Sequence, residues 1–167
     1  MCKEQMAAGA IGFRNRGTAR SIGTPFDAKS EECRLCGGCI YVCPACQLRC
    51  TYCYAAAGEA PRNMLTAELG HWAIDAVCQS AQEQHLPGFE VSFHGGGEPT
   101  MAWDVMKDCA DWARRKPIQS KATLTSNGIW SPEQCQWILA NLDGLSLSMD
   151  GTPETQNRHR PFSNGSE

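Results

Sequence analysis

Apolar residues fall into a regular pattern from Thr66 onward. Leu69, Trp72, Ala73, Ala76, Val77 and Ala81 recur at helical spacing, which predicts an amphipathic helix over residues 66–84. Pro87-Gly88 stops it. Phe89–Phe93 (FEVSF) reads as a strand that runs into Gly95-Gly96-Gly97, a turn needing an unusual backbone. A second helix over 103–116 turns Met106, Cys109, Ala110 and Ala113 inward. Lys121–Ser126 is a second strand, closed by Asn127-Gly128. Ser131, Pro132 and Gln134 stand at the N-cap, N1 and N3 positions of a capping box, opening a helix that reaches about Leu142. Leu145–Met149 is a third strand, closed by Asp150-Gly151.

Alternating strands and helices imply parallel strands joined by right-handed crossovers. In such architectures ligands bind beyond the C-terminal strand ends. The loops at 94–100, 125–128 and 148–151 are therefore expected side by side on one face. Residues 1–30 show no periodicity and are expected to be poorly ordered, with Arg14, Arg16 and Arg20 read as solvated rather than as an anion-binding arm. Residues 31–54 are cysteine-rich and are expected to form a loop wrapped around metal, because glycines and Pro44 break regular structure. Within them Ile40-Tyr41-Val42 is the one stretch that could be strand.

Composition narrows the chemistry. A length of 167 residues suits one domain. A formal net charge of −3 argues against a general nucleic-acid binder, which needs a basic surface to release counterions. No run approaches the roughly 18 apolar residues of a membrane span. Of eleven cysteines, seven lie between Cys33 and Cys53, and the opening MCKEQMAAGAIGFRNRG has no apolar core of a signal peptide. The cluster is therefore read as thiolate ligands in a reducing cytoplasm rather than as disulfides. Cys78, Cys109 and Cys135 lie on predicted helices as inert thiols, Cys2 is a loose terminal thiol, and the five tryptophans are expected to pack. His94 could face a substrate, but turn or core packing is the favoured reading.

Cys46-x3-Cys50-x2-Cys53 can hold three irons of a cubane and leave the fourth open, whereas electron-transfer ferredoxins close all four with cysteine. Zinc sites favour two separated pairs. Spacing alone is ambiguous, since Cys39-x3-Cys43-x2-Cys46 overlaps it. Context separates the two: CQLRCTYCYA resembles the signature of radical S-adenosylmethionine (SAM) enzymes, with an aromatic before the third cysteine. The resemblance implies a [4Fe–4S] cluster on Cys46, Cys50 and Cys53, with SAM on the open iron and Tyr52 against the adenine, largely through its backbone. Gly96-Gly97-Glu98-Pro99 resembles the family's GGE motif, which holds the SAM amino group; glycines permit close approach and a carboxylate pairs with an ammonium. Ser148-Met149-Asp150-Gly151 is similar to the S-x-D-G segment of the peptide-modifying branch, which implies SAM contacts from Ser148 and, ten residues past Asp150, from Arg160; Arg158 is close enough to be confused with it. Asp150 is a further candidate contact. Thr125-Ser126-Asn127-Gly128 resembles the T-N-G turn, where Asn127 contacts SAM or shapes the turn, the latter being favoured.

Together these segments, spanning roughly 46–163, look most like anaerobic sulfatase-maturing enzymes and related SPASM-type peptide maturases. The fold implied is a partial TIM-like (β/α) barrel with parallel strands, truncated after about three to four strand–helix units and preceded by the Cys-rich segment. The domain layout is then 1–30, 31–45, and 46–167 as the N-terminal portion of a radical SAM domain. The implied reaction is reductive cleavage of SAM to a 5′-deoxyadenosyl radical that abstracts hydrogen from a peptide or protein, with a flavodoxin- or ferredoxin-type electron donor. Neither a nucleic acid nor a membrane is an expected partner. Cys33, Cys36, Cys39 and Cys43, followed by Pro44, match the bacterial ferredoxin run and are candidates for a second [4Fe–4S] cluster, with a zinc knuckle as the alternative. Competing readings of the whole chain are a non-catalytic ferredoxin-like carrier and a zinc-binding structural module.

Overall fold

The computed structural model describes residues 11–15, 35–58 and 64–165, with 11–15, Leu35 and Cys36 described by their backbone. Cys2, Arg16, Arg20 and Cys33 lie outside the described residues. The elements are β1 (Ile11–Asn15), β2 (Leu35–Ile40), α1 (Ala67–Glu83), β3 (Gly88–Phe93), α2 (Trp103–Arg114), β4 (Gln119–Ser126), α3 (Pro132–Asn141), β5 (Gly144–Leu147) and α4 (Pro153–His159). One short 3-10 turn, Pro99–Ala102, precedes α2. The five strands form one sheet in the order β1-β2-β3-β4-β5. β1 is antiparallel to β2, and the other three pairings are parallel. Four parallel strands alternating with helices bear out the parallel crossovers read from the pattern and make the partial TIM-like barrel that the resemblance implied. No described helix is long and apolar enough to cross a membrane.

The local signals act as predicted. Thr66 caps α1 by accepting from the Leu69 amide, and Ser131 with Gln134 forms the capping box of α3 behind Pro132. Helices α1 and α2 cover one face of the sheet. Ala73, Ile74, Val77, Met106, Cys109 and Ala110 pack there against Phe89, Val91, Phe93, Ala122 and Leu124, all buried. Burial, with Asp108 adding to it, pushes the Cys109 thiol up to about 12. Cys78 is likewise a buried free thiol and Cys135 a half-buried one. Trp103, Trp112, Trp130 and Trp137 pack partly buried against the core, whereas Trp72 is 61% exposed. Asp75 on α1 accepts from Trp112 Nε1 at 2.9 Å and pairs with Lys116. Burial pulls the Asp75 carboxyl upward, but the bonds from Lys116 and Trp112 outweigh it and hold the group below its ordinary value.

Three elements differ from the sequence reading. Ile11–Asn15 is a strand inside the stretch expected to lack regular structure; two apolar residues give too short an alternation to register, and its pairing with β2 is non-local. β2 occupies residues expected to form a metal-wrapping loop, and it ends at Ile40 rather than beginning there. Gly38 fits because α1 lies close: a Cβ there would stand 3.2 Å from Val77 Cγ2. α4 has no counterpart in the sequence reading, although Thr152, Pro153 and Glu154 repeat the start signal of α3.

Candidate functional site

The C-terminal ends of β2 to β5 open onto one side, as parallel topology requires, and the segments that follow them enclose a cleft of about 150 Å³. Cys46, Cys50 and Cys53 line it together with Gly95–Glu98, Thr125–Asn127, Ser148 and Arg160. His94 and Tyr54 also reach its wall. The structure thus brings together the three candidate cluster cysteines and most of the residues singled out for SAM.

The cysteine loop is held from three sides. Leu48 is buried, and the Arg49 guanidinium donates to the carbonyls of Cys46 and Leu48, each at 2.9 Å, and to Gly58 at 3.3 Å. The Cys53 amide donates to the Cys50 carbonyl at 3.0 Å, making a tight turn between the last two cysteines. The segment after α4 then straps the loop. Arg49 N–H donates to Pro161 O, Thr51 N–H to His159 O and Ser163 N–H to Gln47 O, all at 2.8 Å, around an antiparallel bridge between Leu48 and Phe162. Gln47 Nε2 donates to Ile129 O at 2.9 Å and ties the loop to the turn after β4.

Two of the three sulfurs receive N–H donors. Leu48 N–H lies 3.4 Å from Cys46 Sγ, Ala57 N–H 3.4 Å from Cys53 Sγ, and Asn127 Nδ2 3.7 Å from Cys46 Sγ. Such donors favour thiolate sulfur, the form that ligates iron. Burial raises the Cys46 thiol; the Leu48 and Asn127 donors oppose this, and the nearby Glu98 and Cys50 add to it. Metal binding at Cys46 therefore releases a proton. Cys43 is raised too, again chiefly by burial. Among the described residues no three His, Cys, Asp or Glu side chains converge as one mononuclear ion requires. Three cysteines lining one cleft are the number and type of donor that three irons of a cubane would take, one sulfur to each.

Glu98 is 3% exposed and joins two loops. Its Oε1 accepts from Thr100 N–H at 3.2 Å, Thr100 Oγ1 at 2.8 Å and Ser126 Oγ at 2.8 Å, and Oε2 accepts from Asn127 N–H at 2.8 Å. Oε1 is saturated by these three donors, and Oε2 retains a lone pair. Glu98→Gln places an amide NH₂ against either the Asn127 N–H or the three donors at Oε1. It is expected to cost about 1–3 kcal/mol of stability, checked by urea unfolding. Thr100 and Ser126 are functional neighbours that sequence reading missed; the Glu-x-Thr spacing at a helical start is the signal that could have found Thr100.

Arg160 is buried at 7%, and its Nε has no hydrogen-bond partner. Its Nη1 stands 3.9 Å from Asp150 Oδ1. A buried, unpartnered guanidinium N–H on a cleft wall suits an anionic ligand group. Arg158, the other candidate, is exposed on α4. Tyr52 and Asp150 do not line the cleft. The Tyr52 hydroxyl donates to the Asp150 carboxylate at 2.6 Å, and that bond, with a smaller effect of burial, raises the phenol. Its ring is 57% exposed and meets His159 edge-on. Gly96 and Gly97 approach protein backbone rather than ligand alone: a Cβ on Gly97 would lie 2.1 Å from Ala45 O. Of the second cysteine group, Cys39 directs its thiol to His94 O at 4.0 Å and Cys43 is buried in the core. Cys36 lies in β2, and Cys33 is outside the described residues.

The model of the radical SAM superfamily matches residues 40–166. No curated protein matches the sequence. Solved structures share the fold, among them two of anSMEcpe. One is described as native anSMEcpe with bound AdoMet, an anaerobic sulfatase-maturating enzyme; it is 22% identical over 75% of this chain and 36% of its own, with a TM-score of 0.63. The other, a histidine-tagged form of anSMEcpe with bound AdoMet, is 23% identical over 75% and 35%, with a TM-score of 0.64. The chain spans about a third of the length of these relatives.

Proposed function

This chain belongs to the radical SAM superfamily, and from that premise we propose that Cys46, Cys50 and Cys53 hold a [4Fe–4S] cluster beside a bound SAM. One observation carries the reading: the three thiols share a small cleft with the buried Glu98 and with Arg160, whose buried Nε has no hydrogen-bond partner. Glu98 would receive the SAM ammonium through the free capacity of Oε2, and Arg160 its carboxylate. Ser148 and the Gly96–Gly97 backbone would complete the pocket wall, and Asn127 would serve chiefly by bonding Cys46 and Glu98. When bound, cluster and SAM would supply radical chemistry at an unreactive C–H bond. The protein's part is to hold, orient and shield.

The sheet face opposite α1 and α2 supports a peptide or protein as substrate. It carries Cys39, Glu90, Ser92 and Thr123, with Thr123 Oγ1 bonded to Glu90 at 3.4 Å. A TIM barrel filled by its own side chains places bulky branched residues there; a polar lining suits a ligand rich in amides. The anSMEcpe relatives, maturases of sulfatases by name, point the same way. A flavodoxin- or ferredoxin-type donor would supply the electron, and a reducing cytoplasm would keep the cluster thiols available to iron.

Anaerobic reconstitution of the chain with iron and sulfide tests the proposal. Addition of SAM is expected to alter the paramagnetic spectrum of the reduced cluster. An unaltered spectrum points to an electron carrier, and stoichiometric zinc without iron to a structural module.

A further inference from the structure

The cysteine run that ends at Cys43-Pro44 is not absorbed by the three-cysteine site. Cys43 is 2% exposed, a member of the main apolar core. Its Sγ lies 3.3 Å from the Glu98 carbonyl oxygen and 3.7 Å from that of Ala45. Around it the backbone just past β2 runs flush with the loop that carries Glu98. Gly97 N–H donates to Cys43 O and Glu98 N–H to Ala45 O, both at 2.8 Å. The Glu98 carbonyl, in turn, accepts from the Met101 amide at 3.0 Å, which leaves its second lone pair for the thiol. Glu98 is therefore fixed from both ends: its carboxylate by Thr100, Ser126 and Asn127, its carbonyl by Met101 and Cys43.

We propose that Cys43 is a positioning residue, whose S–H holds the Glu98 carbonyl and so sets the Glu98 side chain in the cleft, and not a ligand of a second cluster. A ligand cysteine must bring its sulfur out to shared iron. The Cys43 sulfur instead faces two backbone carbonyls inside the core, and Cys39, the nearest cysteine of the run, aims its thiol at a third. The proposal rests on the radical SAM reading for what Glu98 does, but its geometry is independent of any bound group.

Two measurements on the full chain decide it. The first is amide exchange in the metal-free protein. Cys43→Ala is expected to speed exchange at Gly97 and Glu98 about three- to tenfold, relative to core amides such as Val91 and Leu124. Cys43→Ser, which restores a donor, is expected to recover most of the protection. Cys43→Val, which fills the space without a donor, is expected to behave like alanine. Equal exchange in all four proteins overturns the proposal, as does a serine variant no better than valine. The second is iron content after anaerobic reconstitution. Unchanged iron per chain in Cys43→Ala is expected; loss of about half of it would make Cys43 a ligand. Should SAM leave the wild-type spectrum unaltered, the functional reading fails, while the exchange arm still judges Cys43.

Discussion

Cys50→Ala is expected to abolish iron incorporation and leave the fold nearly unchanged. Cys50 is half-buried and outside the apolar core, as are Cys46 and Cys53, so removing its sulfur should cost under about 1 kcal/mol of folding free energy. Two thiolates cannot hold a cubane against solvent, so iron should fall from about four per chain to near zero. Cys46→Ala and Cys53→Ala should do the same. Cys109→Ala supplies the opposite profile. That thiol is fully buried between α1 and α2, so its loss should cost roughly 1–3 kcal/mol and no iron. Iron analysis after reconstitution, paired with thermal melting, separates the two classes. Full iron in Cys50→Ala would remove the ground for the site.

Gly97→Ala is expected to be strongly destabilising. The added Cβ would meet Ala45 O at 2.1 Å and Pro44 C at 2.6 Å. Neither side can yield freely, because the same segments are pinned by the 2.8 Å bonds from Gly97 and Glu98 amides. Overpacking against fixed backbone should cost about 3 kcal/mol or more. For a chain of this size that lowers the melting midpoint by roughly 6–12 °C. Gly151→Ala is a useful contrast. It has open space around it but a φ of +104°, so its cost is backbone strain alone, roughly 1–3 kcal/mol. A Gly97→Ala protein that melts with the wild type would show that the two segments do not touch.

Elements whose cause is local were legible in the sequence. The periodic face of α1, the capping box of α3 and the apolar alternation of β3 each carry their own signal within a few residues, and each appears where the pattern put it. The gathering of the candidate residues was legible for a related reason: Cys46–Cys53, Gly96–Glu98 and Ser148 lie in segments that follow strand ends, which parallel topology brings together without further instruction. What stayed hidden depends on partners far along the chain. β2 is a strand because β1 and β3 flank it, whatever its glycines suggest. The motif around Glu98 implies a ligand role, but its hold on Ser126 and Asn127 exists only once β3 and β4 are paired. The motif around Tyr52 implies a place at the cofactor, largely through its backbone; that its hydroxyl bonds Asp150, a residue nearly a hundred positions away, is invisible in the motif.

The strap between residues 47–51 and 159–163 has a consequence for the order in which the protein matures. The cysteines emerge from the ribosome well before the backbone that fixes their loop. Until that stretch is made, the thiols hang on a tether whose closure costs on the order of 4 kcal/mol. Iron delivered before then meets a floppy chelator open to any soft metal. If the three thiols hold the cluster proposed above, metal selectivity would be a matter of timing during synthesis, and a scavenger that takes up the nascent thiols first would leave a folded but miscoloured protein.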